Sequence, residues 1–439
     1  MSVRKLPNSI QWRNDTRNVP LWSLFDRIKD VGHPEEEMLS VYRAHGVIKK
    51  SSRDDNNNQT AENRDIYQLV DYGWLVVNRM KAWQGSVGIS PFRGIVSGHY
   101  LCFRPRHGED PRFLNWLLRS DIYAIEYARM SRGVRPGQTE IDNDELRGLR
   151  VALPPLDEQR HIADFLDAET ARIDRAAALQ EAVKLALLER RAAVVFNAVT
   201  GTSFQDQIPS TLAWVETIPA HWQGVKLGHF ARMGSGHTPS RSKPEWWVNC
   251  TIPWITTGEV SQVRDDRREV LTETRERISE LGMANSSAEL HPKDTVVLCR
   301  TASAGYSAVM GENMATSQDF VTWTCGPRLD PFYLLWCLRA MRSDLLGRLA
   351  MGSTHKTIYV PDLQMLRIPL PPLHEQQQIV GSIREANTAI DTAVDVIDRQ
   401  LALLTERRQA LITAAVTRQI DVTTARGADT SGLSSAGGV

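Results

Sequence analysis

Several things are scarce in this chain, and each scarcity excludes a class of protein. Five cysteines (Cys102, Cys250, Cys299, Cys325, Cys337) are spread over 439 residues, with no CxxC pair and no metal-ligand spacing. That argues against a disulfide framework or a thiolate metal site and fits core thiols in a reduced, cytoplasmic setting. No run of 18 apolar residues occurs, so a membrane span is not expected. Met1 to Pro7 form no apolar signal core. Net charge is absent as well, with 52 basic and 52 acidic side chains. The balance varies along the chain: 23 basic against 19 acidic in 1–150, 6 against 8 in 151–200, 17 against 17 in 201–367, and 6 against 8 in 368–439. Binding to an anionic partner depends on where charges sit, so the zero sum decides little.

Catalytic motifs are missing too. There is no GxxxxGK[ST] phosphate loop, no HExxH and no GxSxG, and Gly234-Ser-Gly236 is a lone GxG. Leu153-Pro-Pro-Leu156 is superficially similar to the N/D-P-P-aromatic motif of amino-methyltransferases. It lacks both the leading Asn or Asp and the trailing aromatic, so nothing there could hold a target amine. His161 lies near Glu158, but the related later segment has Gln378 in its place. A non-catalytic chain is expected, with no metal and no cofactor of its own.

What is present is a duplication. Leu153-Pro-Pro-Leu-Asp-Glu-Gln-Arg-His-Ile162 matches Leu370-Pro-Pro-Leu-His-Glu-Gln-Gln-Gln-Ile379 at an offset of 217. The same offset pairs Ile173-Asp174 with Ile390-Asp391, Glu189-Arg-Arg191 with Glu406-Arg-Arg408, and Ala198-Val-Thr200 with Ala415-Val-Thr417. Upstream, Asp110-Pro111, Phe113-Leu114, Trp116 and Leu118-Arg119 match Asp330-Pro331, Tyr333-Leu334, Trp336 and Leu338-Arg339 at an offset of 220, and Arg79 has a counterpart in Arg300. The chain is a variable block, a repeated block, a second variable block and a second repeated block.

Each repeated block reads as one long helix. Pro154-Pro155 and Pro371-Pro372 suit a helix start and not its interior. Asp157, Glu158 and Glu375 fall in the first turn, where the macrodipole favours them. Apolar residues recur in a 4-3 pattern through Ile162, Leu166, Ile173 and Leu187, and through Ile379, Ile383, Ile390 and Leu404. That is coiled-coil spacing, with Glu169, Gln180 and Gln400 as polar ladder positions that would fix register. A helix of about 40 residues spans roughly 60 Å and needs a partner for its stripe, the nearest being its own copy.

The variable blocks mix strands with short helices, which predicts an α+β fold. Trp74-Leu-Val-Val77, Thr295-Val-Val-Leu298 and Phe320-Val-Thr-Trp323 read as strands. Phe113–Leu118 and Phe332–Leu338 read as core helices. Glycine-flanked polar loops carry the candidate DNA contacts: Arg79, Lys81 and Gln84; Arg132, Arg135 and Gln138; Arg300 and Ser303; Thr354, His355 and Lys356. Arg and Gln can make paired hydrogen bonds to purine edges, and Gly lets backbone approach phosphate.

With these residues in view, the chain resembles the specificity (S) subunit of type I restriction-modification enzymes. The resemblance is carried by Leu153-Pro-Pro-Leu-x-Glu-Gln159 and Leu370-Pro-Pro-Leu-x-Glu-Gln376. Val76–Gly85, Gly94-Ile-Val-Ser97, Gly236-His-Thr-Pro-Ser240 and Ile252-Pro-Trp254 support it. It implies target recognition domains at 1–150 and 209–367, helical spacers at 151–200 and 368–420, a linker at 201–208 and a disordered tail at 421–439. It further implies an antiparallel intramolecular coiled coil with pseudo-twofold symmetry that sets the spacer of a bipartite, asymmetric double-stranded DNA site. Leu153, Pro154, Pro155, Glu158, Gln159, Leu370, Pro371, Pro372, Glu375 and Gln376, with the ladder residues above, would pair the helices and dock partners. Those partners would be two modification (M) subunits carrying S-adenosylmethionine and two restriction (R) subunits using ATP and Mg. The rival readings are a coiled-coil scaffold and a self-contained DNA methyltransferase.

Overall fold

The computed structural model describes residues 12–52, 64–133, 139–351 and 356–422. It divides into two compact units: Met1–Gln180 with Arg399–Val439 (unit 1), and Glu181–Asp398 (unit 2). The expected mix of strands and helices is found in both, as are two long helices, Leu156–Thr200 and Leu373–Val416.

In unit 1, a four-stranded antiparallel sheet runs in the order Phe25–Ile28, Tyr100–Pro105, Leu75–Asn78, Val87–Ile89. Helix Pro111–Arg119 packs on it. Asp110 caps that helix by accepting from the Arg112 and Phe113 amides, with Pro111 at the first helical position. The 3.6-residue spacing of Phe113, Leu114, Leu117 and Leu118 puts all four in the core. Ile162, Ala163 and Leu166 of the first long helix join this core, and so do Ile412, Ala415 and Val416 of the second. Val422 also lies in it, so the expected disordered tail does not begin at 421; residues 423–439 lie outside the described residues.

Unit 2 holds a five-stranded sheet ordered Ala231–Ser235, Phe320–Cys325, Val296–Cys299, Ser307–Met310, Val270–Leu271, the last pairing parallel. Helix Pro331–Ala340, capped by Asp330, carries Tyr333, Leu334, Cys337 and Leu338 into a core shared with Val195, Val199, Val380 and Ile383 of the long helices.

Both units close in the same way just before a long helix. Arg17–Pro20 pairs antiparallel with Arg150–Leu153, and Gln223–Lys226 with Arg367–Leu370. The repeated sequence pairs are also each other's partners. In unit 1, Arg408 Nε lies 3.0 Å from Asp174. In unit 2, Arg191 Nε lies 3.3 Å from Asp391, and Lys184 reaches Asp398 at 2.5 Å.

The stripe on the helices departs from the expected ladder. Val183 and Gln400 are exposed, while Lys184 and Leu401 turn inward. Away from the helix ends, the buried polar positions are Thr170 and Asn387, one repeat apart, and not Glu169 or Gln400. A strict 3.5-residue repeat drifts against the 3.6-residue helix, and here the buried face moves by one position instead of following the expected ladder.

Candidate nucleic-acid interface

In unit 1 the strand Leu75–Asn78 ends in a turn held by its own polar group. Asn78 Oδ1 accepts from the amides of Met80 and Lys81, both at 3.1 Å, an Asx-type turn. A short helical turn, Ala82–Gln84, follows and closes on Gly85 at φ +85°, a conformation that favours glycine. Ala82 is buried and Trp83 Nε1 donates to the Met80 carbonyl at 3.1 Å. The loop is therefore shaped from within, and Lys81 and Gln84 are left exposed.

Arg79 is a junction. Its amide donates to the His99 carbonyl at 2.9 Å and its carbonyl accepts from the Ile141 amide at 3.0 Å. Three segments distant in sequence meet there: 78–86, 97–100 and 139–141. The Arg79 guanidinium pairs with Glu140 at 2.6 Å, and Arg132 pairs with Glu145.

The same junction recurs in unit 2. The Arg300 amide donates to the Asp319 carbonyl, and the Ile358 amide donates to the Arg300 carbonyl, both at 2.8 Å. The expected correspondence of Arg79 and Arg300 thus holds in the backbone. The side chains differ: Arg300 Nε donates to the Gln318 carbonyl at 3.0 Å. Ala302 sits at φ 57°, uncommon for a residue with a Cβ and the kind of outlier that marks ligand-facing loops. The loop is held by Thr301 Oγ1 donating to Asp319 at 2.5 Å and by the Gly305 amide donating to the Cys299 carbonyl at 2.9 Å. Ser303 is half-buried, and Lys356 is exposed with Nζ 3.3 Å from the Leu346 carbonyl. Arg135, Gln138, Thr354 and His355 lie outside the described residues.

A cleft of about 430 Å³ in unit 1 lies between 40–43, 78–86 and 97–100. Lys81 and Gln84 line it with three residues the loop reasoning passed over: Tyr42, Arg43 and His99. These sit on a hairpin and a turn far from 78–86 in sequence, and only folding brings them to Lys81. Tyr100 forms the floor, where burial pushes its phenol pKa up.

The Leu-Pro-Pro-Leu-x-Glu-Gln motif has a structural role in each unit. Gln159 is fully buried. Its Oε1 accepts from the amide of the capping Asp110 at 3.1 Å, and its Nε2 donates to the Pro154 carbonyl at 2.9 Å and Glu109 at 2.7 Å. Gln376 repeats this with the Asp330 amide at 2.8 Å and the Pro371 and Arg328 carbonyls at 2.9 and 3.0 Å. Pro154, Pro371, Leu153 and Leu370 are buried; Pro155 and Pro372 are exposed. The motif glutamates diverge. Glu158 pairs with Arg418, which also holds Asp15 through two bonds of 2.5 and 2.8 Å. Glu375 accepts from Trp222 Nε1 at 2.9 Å and lies 3.1 Å from His221 Nε2. Burial opposes its charge, but those two partners hold its pKa below the ordinary value.

Burial pushes the Cys102 and Cys337 thiols up to about 12 and Cys299 to about 11, so none is an activated nucleophile. Among the described residues, no cluster of three or more His, Cys, Asp or Glu could hold a metal, and no helix is long and apolar enough to cross a membrane.

The family model described as "Type I restriction modification DNA specificity domain" matches twice, over residues 27–185 and 219–391. The chain is 28% identical over 164 residues to the type I restriction enzyme MjaIX specificity subunit of Methanocaldococcus jannaschii, covering 37% of each chain. It is 25% identical over 182 residues to the EcoR124I/EcoR124II specificity subunit of Escherichia coli, covering 40% of this chain and 44% of that one. These matches span less than half the length of either relative. A solved chain from work on complex assembly and conformational transition of the type I R-M system shares the fold at a TM-score of 0.69. It is 17% identical and the match covers 92% of this chain and 98% of that one.

Proposed function

The chain belongs to the type I restriction-modification DNA specificity family, and from that membership we propose that it is the non-catalytic, sequence-reading subunit of a type I restriction-modification complex. The observation that carries this reading is the repeated junction. Arg79 with His99 and Ile141, and Arg300 with Asp319 and Ile358, hold the same backbone connections under loops of different chemistry. One scaffold used twice with unlike loops suits two unlike half-sites.

In this reading the recognition domains occupy 1–150 and 209–367, the linker 201–208, and the helical spacers 151–200 and 368–420. Arg79, Lys81, Gln84, Arg132, Arg135 and Gln138 contact one half-site of double-stranded DNA. Arg300, Ser303, Thr354, His355 and Lys356 contact the other. Arg79 and Arg132 exchange their carboxylate partners for phosphate or base on binding. The long helices pair as an antiparallel coiled coil with pseudo-twofold symmetry, which the Asp174–Arg408 and Arg191–Asp391 ion pairs support within their own units. The helices set the spacer and, with the Leu-Pro-Pro-Leu-x-Glu-Gln segments, dock two modification subunits. S-adenosylmethionine belongs to those subunits, and ATP and Mg to two restriction subunits. The complex works in the cytoplasm.

Single-molecule methylome sequencing of cells expressing this chain with its candidate modification subunit tests the reading. N6-methyladenine is expected at one bipartite motif and absent without this chain. A stable complex that adds no methylated motif would overturn it in favour of a scaffold. The spacing role has its own test. One heptad inserted in both helices adds roughly 10 Å, so the preferred spacer lengthens while both half-sites keep their sequence. Altered half-site sequences would sink the ruler idea.

A further inference from the structure

The cleft of unit 1 carries more than a general affinity for DNA. Its rim is built from three chain segments whose shape is fixed independently of the groups they present. The hairpin tip at 43–44 is anchored by Arg119, whose Nη2 donates to the Arg43 and Ala44 carbonyls at 3.0 and 2.8 Å. The 78–86 loop is held by Asn78, and the 97–100 turn by the Arg79–His99 backbone bond. Preorganised backbone with outward side chains is what base reading requires.

The charged groups presented, Lys81 and Arg43, only donate, whereas the hydroxyls, Gln84 and a neutral His99 can donate and accept. Lys81 and His99 are exposed and make no side-chain hydrogen bond among the described residues. Arg43 is held only by a 3.5 Å contact with Asp121 in which both side chains are largely exposed. None of the residues lining the cleft is acidic. The amide of Asn78 cannot make the paired donor–acceptor contact that adenine offers, because its oxygen is taken by two backbone amides. Gln84 is the one amide left exposed. His99 has at least one N–H donor in either protonation state, and lysine and arginine are donors only.

In the major groove, guanine presents two acceptors, N7 and O6, whereas adenine pairs its N7 acceptor with an N6 donor. Lys81 and Arg43, with no carboxylate beside them, match the first edge and would meet the second with an unpaired donor. We propose that this cleft reads a guanine in the half-site bound by unit 1, with Lys81 and His99 as the discriminating donors and Arg43 as a flanking contact. This rests on the reading of the chain as a DNA-reading subunit, and it names what that site selects.

The test uses the chain assembled with its modification subunits. The methylated motif is determined for the wild type and for Lys81→Ala and His99→Ala, both exposed positions whose melting temperature checks folding. The variants are expected to relax one guanine position of one half-site and to leave the other half-site intact. A duplex with 7-deazaguanine at that position should bind the wild type about ten-fold more weakly, the loss of one good acceptor. It should bind the variants no worse than the unmodified duplex. Relaxation at a position that is not guanine, or an unchanged motif in both folded variants, overturns the assignment while leaving the DNA-reading role standing. A wild-type complex that methylates no bipartite motif overturns both.

Discussion

Replacing Gln376 with leucine is expected to destabilise unit 2 by about 3 kcal/mol, although leucine is close in volume and apolar. The reason is that the position is polar on purpose. Its oxygen is the partner of the Asp330 amide, and its nitrogen joins the Arg328 and Pro371 carbonyls. Asp330 caps helix Pro331–Ala340, so its own amide has no partner within the helix. Leucine strands that donor and two acceptors in a site from which water is excluded, and each stranded group costs about 1–3 kcal/mol. Gln376→Glu keeps the acceptor but aims an oxygen at two carbonyls, so it should be no better. Calorimetry of the whole chain checks this. The transition of unit 2 moves down for Gln376→Leu, and the transition of unit 1 moves down for Gln159→Leu. Two unmoved transitions would show that the lock is ornamental.

Arg339→Met is expected to have an effect of similar or larger size, about 3–5 kcal/mol, because it breaks a buried pair from one side. Arg339 is buried, and burial lowers its pKa to about 10, which still leaves it charged at neutral pH. It donates to the Asp266, Arg268 and Ser307 carbonyls and lies 3.4 Å from the Asp266 carboxylate. The segment it grips also carries Arg267, which reaches Asp395 at 2.8 Å, and Glu269, which meets Arg384 and Trp336. Losing the grip should loosen this strap against the long-helix segments of unit 2. Hydrogen exchange should quicken across 263–271 in Arg339→Met. It should quicken less in Arg342→Ala, where Asp266 keeps Arg339. Equal protection in all three proteins would exclude the strap.

The division into repeats was legible because identical spacing survives divergence. The core helices were legible from their 3.6-residue apolar pattern and their Asp-Pro caps, and the strands from β-branched runs at 75–78, 296–299 and 320–325. The purposes of the repeated polar residues were not. Gln159 and Gln376 were expected to pair the helices and dock partners; that they also satisfy the helix-cap amides was hidden, because those amides lie 49 and 46 residues away. Asp174 and Arg408 were visible as repeated letters, but only tertiary structure makes them partners. Arg119 and Arg339 were visible as matched repeat residues, and the fold makes both carbonyl clamps. In the candidate interface, Lys81 and Gln84 were found through glycine-flanked polarity. Arg43 and His99 were not, although glycines stand near both (Gly46 and Gly98), because only the fold brings them to Lys81.

Asp15 and Arg418 stand 403 positions apart in the chain and touch through two hydrogen bonds. The two closing contacts of the helices differ in one respect. The first helix ends at Gly201, φ +69°, where a Cβ would come within 2.4 Å of Pro219. The second ends at Arg418, φ 62°, one repeat later, where the side chain is needed to hold Asp15 and Glu158. Residues 15 and 418 are thus neighbours in unit 1, and the chain between them closes on itself. A short connector from residue 422 to residue 12, with a cut among the exposed residues 202–206, would give a circular permutant that retains every pairing inside each unit. Which domain is translated first is then a matter of where the closed chain is opened, and the two can trade places along the gene while each keeps its own helix segments and its own fold.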